Sequence, residues 1–317
     1  MTPLDPQLAE IAEAAAKAGP SLLTMDVSEA RAIFSNIASH SPRFEFAGMQ
    51  VDDRLIAGSG GDLAVRIYRP AEIAGQATTV FLHGGGYILG GLDEMDNEAR
   101  FLAEQSSSVV VSVDYRLAPE HRLPAAHSDA VTAVQWARAH AEELGGSAAC
   151  VALAGESAGA NLAASAAVSL KVLGVNLSGL LLIVPAPDLA ALAALPCVTG
   201  DYPMLSTHDL HAILGKALPA EVGAAERFPI SAARAANLAS MPPTVIGLAG
   251  HCPTLQIGEA FAERLVDAGN VVKVHRFANL FHPFFAFAAI SEAARDASAQ
   301  LIVDFRRVAS EHRICRT

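Results

Sequence analysis

Ser157 lies at the centre of Gly155-Glu156-Ser157-Ala158-Gly159, between the apolar run 150–154 and the alanine-rich stretch 160–173. A serine between small residues where a strand hands over to a helix is the layout of a nucleophile elbow, in which a strained backbone presents the hydroxyl for attack. A plain strand-to-helix turn is the other reading, and the strand-turn-helix setting favours the elbow over it. A second glycine-rich segment, His83-Gly84-Gly85-Gly86-Tyr87, follows the run 79–82. Three glycines after a strand can bind phosphate, but no helix opens directly and no G-x-G-x-x-G forms. The competing use is an oxyanion hole, in which the N–H groups of Gly84 and Gly85 converge with that of Ala158 on a developing negative oxygen. A serine hydroxyl needs a base, and in a fold of this kind the histidine comes last in the chain, after the final strand. His282, a few residues past the run 271–277, fits that place, whereas His275 lies inside the run and reads as structural. His208 and His211 form an i, i+3 pair in the cap insertion, which alone is a poor metal set, so no metal site is expected.

The elements that would hold these residues follow from the hydrophobic pattern. Runs at 79–82, 109–113, 150–154, 180–184, 244–249 and 271–277 alternate with helical stretches at 94–105, 126–142, 158–173, 255–268 and 292–308. That alternation predicts a mostly parallel sheet with helices on both faces. Segments 49–56 and 63–68 flank the turn GSGGD and predict an antiparallel hairpin at a sheet edge. Helical spacing in the first forty residues predicts two helices, and the irregular segment from Asp188 to Arg234 retains Leu205, Leu210, Ile213 and Leu214 for packing, with a helical stretch at 208–217. The expected organisation is cap helices at 1–45, a catalytic domain formed by 46–187 and 236–317, and a cap insertion at 188–235.

Composition narrows the class. With 52% apolar and 17% charged residues, the 317-residue chain can bury a sheet on both faces. A formal charge of −11 without any basic run disfavours nucleic acid and anionic membranes as partners. The first residues lack the basic-then-apolar layout of a secretory signal, and the most apolar stretch, 177–195, is broken by Pro185, Pro187 and Asp188, so a cytoplasmic chain is expected. Cys150, Cys197, Cys252 and Cys315 are far apart and read as free thiols.

The chain also resembles the bacterial hormone-sensitive-lipase-like esterases, family IV of the carboxylesterases in the α/β-hydrolase superfamily. HGGGY, the stretch from Val113 to Ala126 reading VDYRLAPEHRLPAA, the elbow GESAGANLAA and the helical Gly258-Glu259-Ala260-Phe261-Ala262 occur in family order over nearly the whole chain. The resemblance implies an α/β-hydrolase fold with a helical cap, nucleophile Ser157, base His282 and oxyanion donors Gly84, Gly85 and Ala158. It implies hydrolysis of a small-molecule, short-chain carboxylic ester with no cofactor, and homodimers are common among such proteins.

One family feature is absent. The triad acid normally opens an Asp-Pro-Leu motif after the strand at 244–249, and here Cys252 occupies that position, followed by Pro253 and Thr254. A carboxylate there orients the imidazole and stabilises the imidazolium; a neutral thiol is a weak acceptor, and losing the carboxylate costs serine proteases about 10⁴ in turnover. Three accounts stay open. Asp188, beyond the strand at 180–184, replaces the acid; or Ser157 and His282 act as a dyad of reduced activity; or the site has turned to other work, as a ligand-binding protein, lactonase or acyltransferase. An elbow would turn Glu156 away from the site, Glu120 resembles a structural residue of the family's Ala-Pro-Glu stretch, and Asp114 likewise reads as structural. Cys252 as a nucleophile with His251 is disfavoured, because no oxyanion donors are expected near it and adjacent residues seldom face each other.

Overall fold

The computed structural model describes residues 2–73, 77–219 and 231–311. Asp5 and Asp26 start the first two helices, α1 (Pro6–Ala18) and α2 (Val27–His40), by accepting hydrogen bonds from first-turn N–H groups. β1 (Gln50–Gly58) and β2 (Gly61–Arg69) follow as the expected hairpin, antiparallel from Gln50↔Arg69 to Gly58↔Gly61. The chain then alternates: β3 (Thr78–Leu82), α3 (Asp96–Ser106), β4 (Val109–Val113), α4 (Ala125–Ala139), β5 (Val151–Glu156), α5 (Ala158–Val172) and β6 (Leu180–Ile183). After β6 come α6 (Leu189–Ala193) and α7 (Thr207–Ala217), then β7 (Thr244–His251), α8 (Leu255–Asp267), β8 (Val272–Phe281) and α9 (Glu292–Glu311).

The eight strands form one sheet in the order β1-β2-β4-β3-β5-β6-β7-β8. β2 pairs antiparallel with both β1 and β4, and the pairings from β4 through β8 are parallel. β3, β4, β5 and β6 are buried along their whole length, which is why they read as continuous apolar runs without alternation. Successive side chains nevertheless enter different cores. Val80, Leu82, Val111, Leu153, Leu182 and Ile246 pack with α4, α5 and α8 on one face. Phe81, Val110, Ala152, Ala154, Leu181 and Val245 pack with α3 and α9 on the other.

The two N-terminal helices pack against different cores. Leu8 of α1 is fully buried with Phe281, Phe284 and Phe285, and Asp5 N–H donates to Asn279 O at 2.9 Å, so α1 is fastened to the end of β8. α2 lies on the other side, where Ala30 joins the α4/α5 core and Arg31 reaches Ile88 O and Ala118 O at 2.9 Å. Within 188–235, α7 begins with a Ser206/Asp209 capping box and buries Leu210, Ile213 and Leu214 in that same core. Lys216 of α7 donates to Leu23 O, tying the insertion to the segment before α2. Segment 220–230 of the insertion lies outside the described residues.

Candidate active site

Parallel strands point their carboxyl ends the same way, and the register decides which residues meet there. Leu82 of β3 is level with Gly155 of β5, so two residues further on Gly84 is level with Ser157. His251 of β7 is level with Phe281 of β8, so Cys252 and His282 follow as neighbours, and His282 N–H donates to His251 O at 3.3 Å. That register is reached through an irregularity between Ala249 and His251, where Gly250 lets the backbone of Ala278 approach closely. β8 consequently runs four residues past the expected end at 277 and delivers His282 directly from its tip.

Ser157 has φ 54° and ψ −117°, a strained conformation for a residue with a side chain. The flanking glycines make it possible. A Cβ on Gly159 would overlap the carbonyl oxygens of Leu82 and His83, and one on Gly155 would overlap Gly159 O, so α5 can start hard against β3 only if both positions are bare. Ser157 N–H is held by Ile183 O at 2.9 Å, and Asn161 N–H returns to Ser157 O at 3.1 Å.

The glycine loop stands beside the serine. A Cβ on Gly84 would lie 3.7 Å from that of Ser157, and Gly85 has φ +106°, a conformation that side chains oppose. Among the described residues, the N–H groups of Gly84, Gly85 and Ala158 donate to no carbonyl or side chain. Behind the loop, the His83 ring stacks on Tyr115 with centroids 4.2 Å apart, and its Nδ1 meets Gly84 O at 2.7 Å. Tyr115 Oη donates to His83 O at 2.8 Å. Burial lowers His83 to about 4, so Nδ1 carries its proton as a neutral ring and donates to the Gly84 carbonyl. Tyr87, with φ 65°, accepts from Asn161 Nδ2 at 2.7 Å, locking the far end of the loop to α5. Tyr115 and Asn161 sit inside VDYRLAPEH and GESAGANLAA, so their place was on view in the sequence while their task of bracing the loop was not.

His282 Nε2 lies 2.7 Å from Ser157 Oγ, and its Nδ1 lies 3.2 Å from Cys252 Sγ. Both His282 and Cys252 are buried. Burial lowers His282 to about 3 and raises the Cys252 thiol to about 11. At neutral pH the pair is therefore an uncharged imidazole beside an uncharged thiol. The sulfur's remaining side-chain neighbour is Thr254 Oγ1 at 3.1 Å.

Of the three open accounts, the one in which Asp188 replaces the acid is not met. Its carboxylate accepts from Ala190 and Ala191 N–H at 3.1 Å as the N-cap of α6, and takes Arg234 Nε at 2.8 Å, while the outer nitrogen of His282 is engaged by sulfur. Of the other acids, Glu120 forms a two-pronged pair with Arg31 at 2.8 and 2.9 Å. Glu156 is fully enclosed, and desolvation raises it to about 8. His251 Nε2 faces Thr2 O at 2.9 Å, and a thiol raised to about 11 supplies no thiolate, so nothing equips Cys252 as a nucleophile. His275 meets Asp304 Oδ2 at 3.0 Å; His208 and His211 turn to Cys197 Sγ at 3.4 Å and Leu195 O at 2.8 Å respectively.

A mostly parallel eight-stranded sheet with a serine at a strained strand-to-helix turn and a histidine beyond the last strand defines an α/β-hydrolase. A family model described as an alpha/beta hydrolase fold matches residues 79–286. Carboxylesterase NlhH of Mycobacterium tuberculosis is 35% identical over 266 residues, covering 82% of this chain and 83% of that protein. An ethyl acetate hydrolase of Pseudomonas putida is 30% identical over 305 residues, covering 93% and 94%. Among solved structures, the hyperthermophilic esterase of Pyrobaculum calidifontis superposes with a TM-score of 0.87 at 30% identity, covering 98% of this chain and all of that one. The chain belongs to the α/β-hydrolase fold family, among the hormone-sensitive-lipase-like carboxylesterases.

Proposed function

We propose that the chain hydrolyses short-chain carboxylic esters through an acyl-enzyme on Ser157, with His282 as base and then acid. The observation that carries this reading is the 2.7 Å contact between His282 Nε2 and Ser157 Oγ beside a loop whose N–H groups are free to donate. In acylation His282 takes the Ser157 hydroxyl proton as Oγ bonds to the ester carbon. The carbonyl oxygen becomes an oxyanion, and the N–H groups of Gly84, Gly85 and Ala158 are the donors available to it. Collapse breaks the bond to the alcohol oxygen, which receives the proton held by His282. A water then repeats the sequence on the acyl group, releasing the carboxylic acid and restoring Ser157. Relatives named as esterases and a carboxylesterase support ester hydrolysis, and the ethyl acetate hydrolase supports a short acyl group.

A second reading has one observation in its favour. The thiol at 252 leaves the imidazolium without a counter-charge, which suits a slow enzyme or a homologue retained for ligand binding. A fluorophosphonate probe with a nitrophenyl acetate assay separates the two. The esterase reading expects covalent labelling and turnover, both lost in Ser157→Ala; a protein unlabelled at every pH between about 5 and 9 would overturn it.

A further inference from the structure

The sulfur of Cys252 faces two partners, and its single proton can go to only one of them. Sγ is 3.2 Å from His282 Nδ1 and 3.1 Å from Thr254 Oγ1, and all three residues are buried. The N–H groups of Thr254 and Leu255 also point at this sulfur; they are donors and cannot take its proton. Two arrangements place the thiol proton in one of these two contacts. In one, the thiol donates to Nδ1, the imidazole carries its proton on Nε2, and that N–H donates to Ser157 Oγ. Nothing can then accept the serine proton. In the other, the thiol donates to Thr254 Oγ1, a sulfur lone pair accepts Nδ1–H, and Nε2 is left bare to accept from Ser157.

We propose that Thr254 is a positioning residue of this site: its hydroxyl accepts the Cys252 thiol proton and so holds His282 in the tautomer that can deprotonate Ser157. The inference rests on the reading of Ser157 and His282 as nucleophile and base. It supplies what a thiol at this position otherwise lacks. A carboxylate only accepts, so it fixes the tautomer unaided; a thiol both donates and accepts, so a further group must decide its direction. The sequence is consistent with that need. Where the Asp-Pro-Leu motif has leucine after proline, this chain, with its thiol, has Cys252-Pro253-Thr254 and therefore a hydroxyl.

Thr254→Val removes the hydroxyl at nearly constant volume. It is expected to lower kcat on nitrophenyl acetate by about tenfold to a hundredfold with KM within about twofold, because the lost group acts through the base and not on the substrate. Thr254→Ser should restore most of that loss. In a Cys252→Asp background the same valine should cost little, since a carboxylate does not depend on the hydroxyl. The tautomer itself is read by nitrogen NMR of histidine-labelled protein: His282 should carry its proton on Nδ1 in the native chain and on Nε2 in Thr254→Val. A native chain with Nε2 protonated overturns the inference without any variant, so a valine variant that failed to fold would not rescue it. An equal loss with and without Cys252→Asp also overturns it, because a packing defect would be blind to residue 252. If the native chain neither turns over ester nor reacts with fluorophosphonate, the reading of Ser157 has failed instead.

Discussion

His282 is ringed by uncharged groups, and this sets both its strength and its pH range. An imidazole lowered to about 3 by burial stays in its basic form far below the ordinary histidine value of about 6.5. Activity that needs neutral His282 falls only as pH drops through the histidine's own value, so the acid limb of kcat/KM should lie well below pH 6. Cys252→Asp should raise kcat by about tenfold or more by stabilising the imidazolium, and for the same reason should move the acid limb upward. A pH profile of the two proteins on one ester measures both effects, and a variant with lower kcat and an unmoved limb would contradict this account of the thiol. Asp188→Asn, by contrast, should leave kcat within about twofold. It costs about 1 kcal/mol of stability or less, because asparagine still caps α6 and the pair with Arg234 is partly exposed.

At the scale of elements, the site is made by strand ends held in register and by one helix pressed against them. α5 follows β5 without a loop, and its second residue, Gly159, touches the backbone leaving β3. Gly159→Ala must push α5 away from β3 or tear the elbow open, at about 3 kcal/mol of stability. Gly215 provides the contrast. It sits inside α7 with ordinary helical φ and open space where a Cβ would go, so Gly215→Ala should stabilise by about 0.5–1 kcal/mol. Urea unfolding of both variants tests the pair, and equal effects would show that the closeness of α5 to β3 is not what the glycine secures.

Across the whole molecule, the sheet separates two cores, and behind the elbow the packing encloses carboxyl groups. Glu156 and Glu98 are buried in proximity, each raised by desolvation first and Glu98 further by Glu156. A carboxyl held protonated in the folded state stabilises it below the unfolded value of about 4.5, and that contribution is lost as pH climbs from there toward 8. Glu156→Gln keeps the shape and removes the titration. Its melting temperature should match the native chain near pH 5 and exceed it by several degrees at pH 8.5; a native advantage at pH 8.5 would mean that the charged carboxylate is well solvated in the fold. None of the helices among the described residues is long and apolar enough to cross a membrane.

Local chemistry wrote the parts of this protein into its sequence. The apolar runs at 79–82, 109–113, 150–154 and 180–184 became fully buried strands because a sheet covered on both faces needs no alternation, and GESAG and HGGGY marked the elbow and the glycine loop because only small residues tolerate such close backbones. The vacancy at the acid position was equally legible as Cys252. What the sequence left open was settled by register and by competition for partners. The offset between β7 and β8 through Gly250 joined Cys252 to His282, and Arg234 with the first turn of α6 claimed Asp188. α1 and α2, alike in sequence pattern, went to opposite faces because Leu8 and Ala30 found different cores. Such outcomes depend on residues far apart along the chain, and hydrogen-bond partners at that separation exist only once the sheet has set their distances.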